Sequence, residues 1–235
     1  MEKKKRRWTV KLLKILLVTV FLVLFFNLLR DVHFQYENKH SIPRSEEWNL
    51  IVVNRWNKLP EDYYVELTEL ENGQKVDSRI YPYLQEMFED ARAEGVYPVV
   101  REAYRTAEEQ QGILFDRVQS YISEGYSRWR AERIAKEWVA LPGTSEHQLG
   151  IAVDINADRS KCRNEDVYLW LSENAYKYGF ILRYPEEKQV LTGTNYEPWH
   201  YRYVGVEAAQ EIYEQGVCLE EYILNHIVNN NFEEK

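Results

Sequence analysis

The sequence predicts an α+β domain, in which a small and mainly antiparallel sheet packs against helices, preceded by one transmembrane helix. Segments with strand character and segments with helical periodicity are mixed, and they lack the regular strand–helix alternation of a parallel α/β fold. An apolar run near the N-terminus predicts the membrane helix. With 235 residues, of which 45% are hydrophobic, the chain can bury one sizeable core, so we expect one globular domain.

The N-terminal region combines a dense basic run, Lys3 to Arg7, with an apolar run from Leu12 to Leu29 that Lys14 and Asn27 interrupt. At about 1.5 Å per residue, the apolar run is just long enough to cross a hydrocarbon core of about 30 Å. No small-residue cleavage site follows it, so we expect an uncleaved anchor rather than a removed signal peptide. The positive-inside rule then places the N-terminus in the cytoplasm and the rest of the chain outside.

The sequence divides into five segments, and its charge and cysteines limit the possible partners. The segments are a cytoplasmic basic segment (1–11), a transmembrane anchor (12–29), a polar tether (30–45), a globular domain (46–228) and a frayed tail (229–235). The net charge of -8 argues against a nucleic-acid partner, which normally requires a basic face. Cys162 and Cys218 are too few for a disulfide scaffold, and a single bridge or two free thiols both remain open.

Strand and helix signals follow one another irregularly through the globular domain. Short apolar or alternating segments predict strands over residues 49–54, 65–70, 96–101, 151–156, 180–184 and 201–204. Apolar residues at helical spacing predict helices over residues 80–93, from 106 onward, and over 128–139, 166–178 and 207–215. Asp77 and Ser78 are candidate N-caps of the first helix. Thr106 and Glu109 form a capping box for the second, and Ser127 is a candidate cap of the third.

One stretch, Ser145 to Asp154, carries two candidate metal ligands. For His147 and Asp154 to share one ion, their donor atoms must come close together, because each bond to zinc is about 2.0–2.2 Å long. Seven residues of extended strand would separate them by roughly 23 Å, so the chain has to bend, and Gly150 is the expected bend. Beyond it, small and acidic residues alternate with apolar ones, which predicts a strand that presents Asp154 to a cleft.

A later stretch, Glu197 to His200, supplies a second histidine and a further carboxylate. Pro198 removes a hydrogen-bond donor from the chain, so we expect a bulge or a strand edge there. A hydrolytic zinc centre needs three N/O ligands, an open position and a nearby base, and one free carboxylate can both accept and return the proton. Three other histidines lie in the tether or near the tail and are not expected to bind metal: His33, His40 and His226.

The two stretches together form a recognisable pattern. Ser145-x-His147-x-x-Gly150-x-Ala152-x-Asp154, followed by Glu197-Pro198-Trp199-His200, resembles the VanY-type D-alanyl-D-alanine carboxypeptidases, zinc peptidases of the LAS fold that trim bacterial cell-wall stem peptides. The resemblance extends from about Leu50 to Leu224 and includes Tyr104-Arg105-Thr106 with Gln110. One departure lies near the expected cleft, where Glu102-Ala103 stands in place of the family's frequent Ser-Gly.

The resemblance implies a role for each of these residues. His147, Asp154 and His200 are the implied Zn²⁺ ligands. Glu197 is the implied catalytic base, and Arg105 is implied to contact substrate and to stabilise the developing oxyanion. The implied substrate-binding residues are Ser145, Gln110, Tyr104 and Trp199. For Ser145 and Gln110, a role in capping or loop hydrogen bonds remains open, and either Trp199 or Tyr201 is expected to pack rather than to cover the peptide.

The implied protein is a membrane-anchored zinc D,D-carboxypeptidase that removes the C-terminal D-alanine from peptidoglycan stem peptides. Its catalytic domain would lie outside a bacterial cell membrane, with the anchor and the stem peptide as its partners. Two alternatives remain open at this point. One is an L,D-carboxypeptidase that trims tetrapeptide stems, and the other is a non-catalytic cell-wall-binding protein on the same fold.

Overall fold

The computed structural model describes residues 42–233 and, nearer the N-terminus, positions 14, 18–20, 22, 25 and 26. Those N-terminal positions are helical and exposed. Within the described residues, no helix combines the length and the apolar character needed to cross a bilayer. The predicted basic segment 1–11 and most of the predicted anchor 12–29 and tether 30–45 lie outside the described residues. From Ile42 onward the chain forms one compact unit.

Four antiparallel strands form the sheet that carries the site. In spatial order these strands are β3 (Pro98–Glu102), β4 (Ala152–Ala157), β6 (His200–Tyr203) and β5 (Phe180–Leu182). All three neighbouring pairs run antiparallel, which together with the helices confirms the predicted α+β class. The register sets Asp154 of β4 directly opposite His200 of β6, and an irregularity in β3 sets Glu102 on the other side of Asp154.

Two short strands, β1 (Leu67–Glu69) and β2 (Lys75–Asp77), form a separate hairpin, but the strand predicted over residues 49–54 is wrong. That segment is buried, yet it is not a strand. The buried guanidinium of Arg202 donates to the carbonyl oxygens of Asn49 and Ile51 at 3.0 and 2.9 Å. A side chain therefore satisfies carbonyl groups that a neighbouring strand would otherwise have to satisfy.

The described helices pack beside the sheet, and five of the seven correspond to predicted helices. They are α1 (Tyr81–Ala93), α2 (Ala107–Ser123), α3 (Arg128–Ala135), α4 (Asn164–Asn174), the short α5 (Gln189–Thr192), α6 (Val206–Gln215) and α7 (Leu219–Glu233), with 3₁₀ turns at Glu146–Leu149, Ala175–Tyr178 and Glu186–Lys188. The capping box of α2 is confirmed, because Thr106 and Glu109 each accept from the other's backbone N–H. By contrast, α1 has no side-chain cap, since the Asp77 carboxylate binds the backbone and guanidinium of Arg79 instead.

The helix predictions need two corrections, one at the end of α3 and one for a helix that was not predicted. Helix α3 stops at Ala135 rather than Val139, and the following residues continue as hydrogen-bonded turns in which the Val139 N–H donates to the Ala135 carbonyl at 2.8 Å. No helix was expected after residue 216, yet α7 begins at Leu219 and includes most of the segment that was predicted to be frayed. Cys162 and Cys218 are both free thiols. Of the two possibilities left open by the sequence, a single disulfide and two free thiols, the structure has the second.

The apolar core is divided in a way that shapes the site. The main cluster joins the sheet to α1 and α4, and a second cluster lies under α6 and α7. A third, separate cluster lies between α2 and α3 and consists of Leu114, Val118, Ala131, Ala135 and Val139. Because α2 and α3 pack mainly on each other, they form a wall beside the sheet rather than part of its core.

Candidate metal centre

A left-handed glycine places the first histidine beside the sheet. Glu146–Leu149 forms one 3₁₀ turn, and Gly150 ends it with a φ of 74° before β4 begins. A Cβ at Gly150 would lie 3.0 Å from a Val65 methyl group and 3.3 Å from the Asp77 backbone nitrogen, so a side chain there would be both strained and crowded. The bend predicted from the sequence is therefore present, and it returns His147 towards Asp154.

Three side chains converge at the end of β4 and β6. Donor atoms of His147, Asp154 and His200 all lie within 4.8 Å of one another. The Asp154 Oδ1 atom is 3.5 Å from His147 Nε2 and 2.9 Å from His200 Nδ1. The two imidazole rings are nearly perpendicular, at 89°. Two imidazoles and one carboxylate in this arrangement fit a zinc ion that keeps a fourth position open.

The remote nitrogen of each imidazole also has a partner. His147 Nδ1 lies 2.7 Å from the carbonyl oxygen of Ala103, so it carries the proton and leaves Nε2 as the metal-facing lone pair. His200 Nε2 lies 3.4 Å from a Glu146 carboxylate oxygen, which leaves Nδ1 facing Asp154. Such partners fix the tautomer and the orientation of metal-binding imidazoles. The arrangement therefore fits a zinc ion. His147 would face it with Nε2 and His200 with Nδ1.

Behind His200 lies a buried network of charged side chains. One Glu146 oxygen is 2.7 Å from Arg183 Nε and 2.7 Å from Arg202 Nη1, and the side chains of all three residues are fully buried. Arg183 also binds Glu220 with both terminal nitrogens, at 2.9 and 2.6 Å. Two guanidinium groups and two carboxylates give a neutral set. A buried charge left without its partner would be strongly unfavourable, so this network holds its members in fixed positions.

The electrostatics of the site stabilise the charged forms of Glu146, Asp154 and His200. Burial alone would raise the pKa of Glu146, but Arg183 and Arg202 outweigh it and hold that pKa well below its usual range. Burial alone would also raise the pKa of Asp154, but the attraction of His147 and His200 outweighs burial and lowers that pKa. Burial lowers the pKa of His147. At His200 the bonds to Asp154 and Glu146 outweigh burial and raise the pKa to about 9.

Glu197 is close to the three converging side chains but is not one of them. Its carboxylate is 10% exposed, and the nearest oxygen lies 3.9 Å from His200 Nδ1. Burial, which outweighs the attraction of His200, raises the pKa of Glu197 to about 7. A carboxyl group with a pKa near neutrality can both take up and release a proton at physiological pH.

Arg105 reaches the same place from the residue just before the N-cap of α2. Its guanidinium lies 3.6 Å from the second Asp154 oxygen and 3.2 Å from Glu102. A third contact is a 3.1 Å hydrogen bond to the Gln110 side-chain oxygen, while the Gln110 amide donates to the carbonyl of Ala140. Gln110 is thus bonded to the protein at both ends of its amide, and it holds Arg105 in position.

The site opens into a cavity of about 690 Å³. Of the predicted substrate-binding residues, Ser145, Gln110 and Trp199 line this cavity together with Arg105 and the converging histidines. Tyr104 is not among the lining residues, and its role in substrate binding stays a prediction. Its backbone N–H donates to the carbonyl oxygen of Lys75 in β2. Tyr201 is fully buried in the main core, which agrees with packing for one of the two aromatic residues.

Sequence reasoning missed the residues that support the histidines. The predicted site did not include Glu146, Arg183 or Arg202, although Glu146 lies within the stretch from Ser145 to Asp154. One signal was available: Arg202 follows His200 by two residues on a strand, so both side chains point to the same face. The partners of Arg183 could not be found this way, since residue 220 is 37 positions distant in the chain.

Comparison with known proteins places this geometry in a family. The model of the VanY family, described as D-alanyl-D-alanine carboxypeptidase, matches residues 73–206. A D-alanyl-D-alanine carboxypeptidase of Enterococcus faecalis is 57% identical over 178 residues. That alignment covers 76% of this chain but 66% of the relative, so the chain spans slightly less than two thirds of that protein's length.

Solved structures agree with the sequence comparison. A variant of the vancomycin resistance D,D-pentapeptidase VanY from a VanB-type cassette, in complex with Zn(II), is 57% identical, with a TM-score of 0.74 over 75% of this chain and 99% of the other. VanYB in complex with D-alanine-D-alanine gives the same TM-score of 0.74 and 57% identity, over 75% of this chain and 98% of the other. The LdcB LD-carboxypeptidase is 35% identical, with a TM-score of 0.61 over 78% of this chain and 92% of the other.

Proposed function

Because this chain belongs to the VanY family of D-alanyl-D-alanine carboxypeptidases, we propose that it is a zinc-dependent D,D-carboxypeptidase. Its substrate is a peptidoglycan stem peptide, from which it removes the C-terminal D-alanine. One observation carries the proposal: His147, Asp154 and His200 converge, while Glu197 stands beside them without joining the set. That combination is what metal-assisted peptide hydrolysis requires.

The mechanism assigns a separate task to each side chain. When bound, Zn²⁺ supplies Lewis-acid chemistry, which polarises the scissile carbonyl and acidifies a water molecule. Glu197 accepts a proton from the attacking water and donates it to the departing amine. Arg105 aims its guanidinium at the carbonyl oxygen, which becomes negative as the water adds. Glu102 and Gln110 keep Arg105 in place through their bonds of 3.2 and 3.1 Å.

Hydrolysis by the zinc-loaded protein and by Glu197→Ala tests this assignment. We expect the parent to release D-alanine from a peptide ending in D-Ala-D-Ala, and the variant to lose about 10²–10⁴-fold in kcat. Zinc content, measured by atomic absorption, should stay the same because Glu197 is not one of the three converging residues. A variant that hydrolyses the peptide as fast as the parent would contradict the role of Glu197.

An L,D-carboxypeptidase is the second candidate, because the LdcB LD-carboxypeptidase has the same fold at 35% identity. The 57% identity to D-alanyl-D-alanine carboxypeptidase favours the D,D activity. Mass spectrometry of digests of a pentapeptide and a tetrapeptide stem separates the two, since each activity shortens a different one. A zinc-loaded protein that leaves both peptides intact would instead support the non-catalytic cell-wall-binding alternative.

We further propose that residues 12–29 anchor the protein in a bacterial cell membrane, with the basic segment 1–11 in the cytoplasm and the zinc peptidase domain 46–228 outside. The apolar run and the preceding basic run support this arrangement. Protease treatment of intact protoplasts provides the test. We expect the domain to be degraded while the N-terminal segment is protected, and a domain protected until lysis would contradict the orientation.

A further inference from the structure

The cavity continues well beyond the metal centre, along one face of α2. Gln110, Ile113, Arg117 and Tyr121 all line it. These residues are spaced by three or four positions, so they form a single stripe on the helix. The opposite side of this part of the cavity is formed by residues 136–141, at the end of α3 and just after it. We call this region the distal end.

The stripe begins beside the metal ligands and leads away from them. Gln110 binds Arg105 at 3.1 Å, and Arg105 lies 3.6 Å from Asp154. Arg117 is seven residues further along α2, which corresponds to about 10 Å at about 1.5 Å per residue. An extended peptide advances about 3.3 Å per residue. The span from Gln110, which lies beside the reaction centre, to Arg117 therefore corresponds to about three residues of bound peptide.

The proposed function fixes which part of the peptide reaches the distal end, and this step rests on it. A carboxypeptidase has a single residue on the C-terminal side of the scissile bond. The longer arm of the cavity must then receive the part of the peptide on the N-terminal side. A side chain about three residues before the scissile bond would lie beside Arg117.

The distal end is positively charged on a chain whose net charge is -8. Arg55, Arg117 and Lys136 line it, against one lining carboxylate, that of Glu137. Arg55 is already engaged, because its guanidinium donates to the carbonyl oxygens of Lys136 and Gly193. The side chains of Arg117 and Lys136 are exposed and, among the described residues, have no acidic group in contact.

The two cations each adjoin a residue of the packing between α2 and α3. Val118 follows Arg117 and Ala135 precedes Lys136, and both apolar residues belong to the cluster between α2 and α3. We propose that Arg117 and Lys136 form a binding site for a carboxylate that the peptide carries about three residues before the scissile bond. Two cations with free donors are suited to such a group, because charge-assisted hydrogen bonds to carboxylate are the stronger kind.

Two matched peptides test the site on the zinc-loaded protein. Both end in D-Ala-D-Ala and have equal length, but one has a free carboxylate three residues before the scissile bond and the other has the carboxamide. We expect the parent to favour the carboxylate peptide by about five- to tenfold in kcat/KM, mainly through KM, and less so at high salt. In the double variant Arg117→Gln/Lys136→Gln, the preference should fall to about onefold.

Arg92→Gln is the matched control, since it removes an exposed cation on α1 that does not line the cavity. It should retain the full preference. A double variant that still favours the carboxylate peptide, or a parent with no preference, would overturn the site. The two hypotheses fail in different ways. If the parent releases no D-alanine from either matched peptide, the proposed function is wrong, whereas cleavage of both peptides without any carboxylate preference contradicts the distal site alone.

Discussion

The two ends of the cavity differ in how their charged groups are held. At the metal end, Glu146, Arg183 and Arg202 are fully buried and bonded to one another, and no buried side-chain nitrogen or oxygen among the described residues lacks a partner. At the distal end, Arg117 and Lys136 are exposed and have no acidic contact among the described residues. Buried networks fix positions, whereas exposed cations adapt. Changes at the metal end should therefore affect the chemistry and the fold, and changes at the distal end should affect substrate choice.

After Glu197→Ala, the largest effect is expected for Arg105→Lys at the metal end. A lysine keeps the charge but cannot reproduce the planar donors that contact Asp154, Glu102 and Gln110. We expect kcat to fall by about 10²–10³-fold, as when an oxyanion donor is removed. Zinc content should stay the same. Steady-state kinetics on a D-Ala-D-Ala peptide would measure this, and a variant with unchanged kcat would exclude Arg105 from the reaction.

A smaller loss of activity but a larger loss of stability is expected for Glu146→Gln. The substitution leaves Arg183 and Arg202 with one uncompensated buried charge and weakens the support of His200. Zinc affinity should fall by about 10–100-fold, measured by competition with a chelator. The free energy of unfolding should fall by about 3 kcal/mol, measured by urea titration. Glu89→Gln, an exposed change on α1, is the control, and equal stability of the two variants would contradict the network's importance.

Acid should remove the same contribution from the parent protein. The pKa of Glu146 in the folded chain is below its ordinary value of 4.5. The stability that this shift provides is complete above that value and is lost as the pH falls below it. The difference in unfolding free energy between the parent and Glu146→Gln should therefore be largest near neutrality and shrink between about pH 5 and about pH 3. A difference that grows on acidification would reverse the assigned sign.

The smallest effect is expected for Arg55→Gln at the distal end. Its guanidinium joins the carbonyl of Lys136 to that of Gly193, so it connects the end of α3 to the loop that leads to Glu197. These bonds are exposed, and their loss should cost less than about 1 kcal/mol of stability. We expect KM to rise a few-fold with kcat nearly unchanged. A large fall in kcat would show that this end also positions the reacting groups.

The difference between local and long-range contacts explains what the sequence could predict. Gly150 and the Thr106 capping box are local signals, and both produced the expected backbone. His147, Asp154 and His200 converge as the resemblance of the two motifs implied, although His200 is distant from the other two in the sequence. The strand predicted over residues 49–54 was wrong because a distant side chain, Arg202, takes its carbonyl groups. Local patterns do not record such long-range partners.

The bond between Arg183 and Glu220 also has a consequence for the order of assembly during synthesis. Glu220 is the second residue of α7, near the end of the chain, and it binds Arg183 at 2.6 Å. Until that residue has emerged, Arg183 faces Glu146 without its second carboxylate, and the support of His200 is incomplete. A nascent chain thus carries all three converging side chains before it can hold them firmly. The metal centre is therefore fully supported only after a residue that follows all three converging side chains has been synthesised.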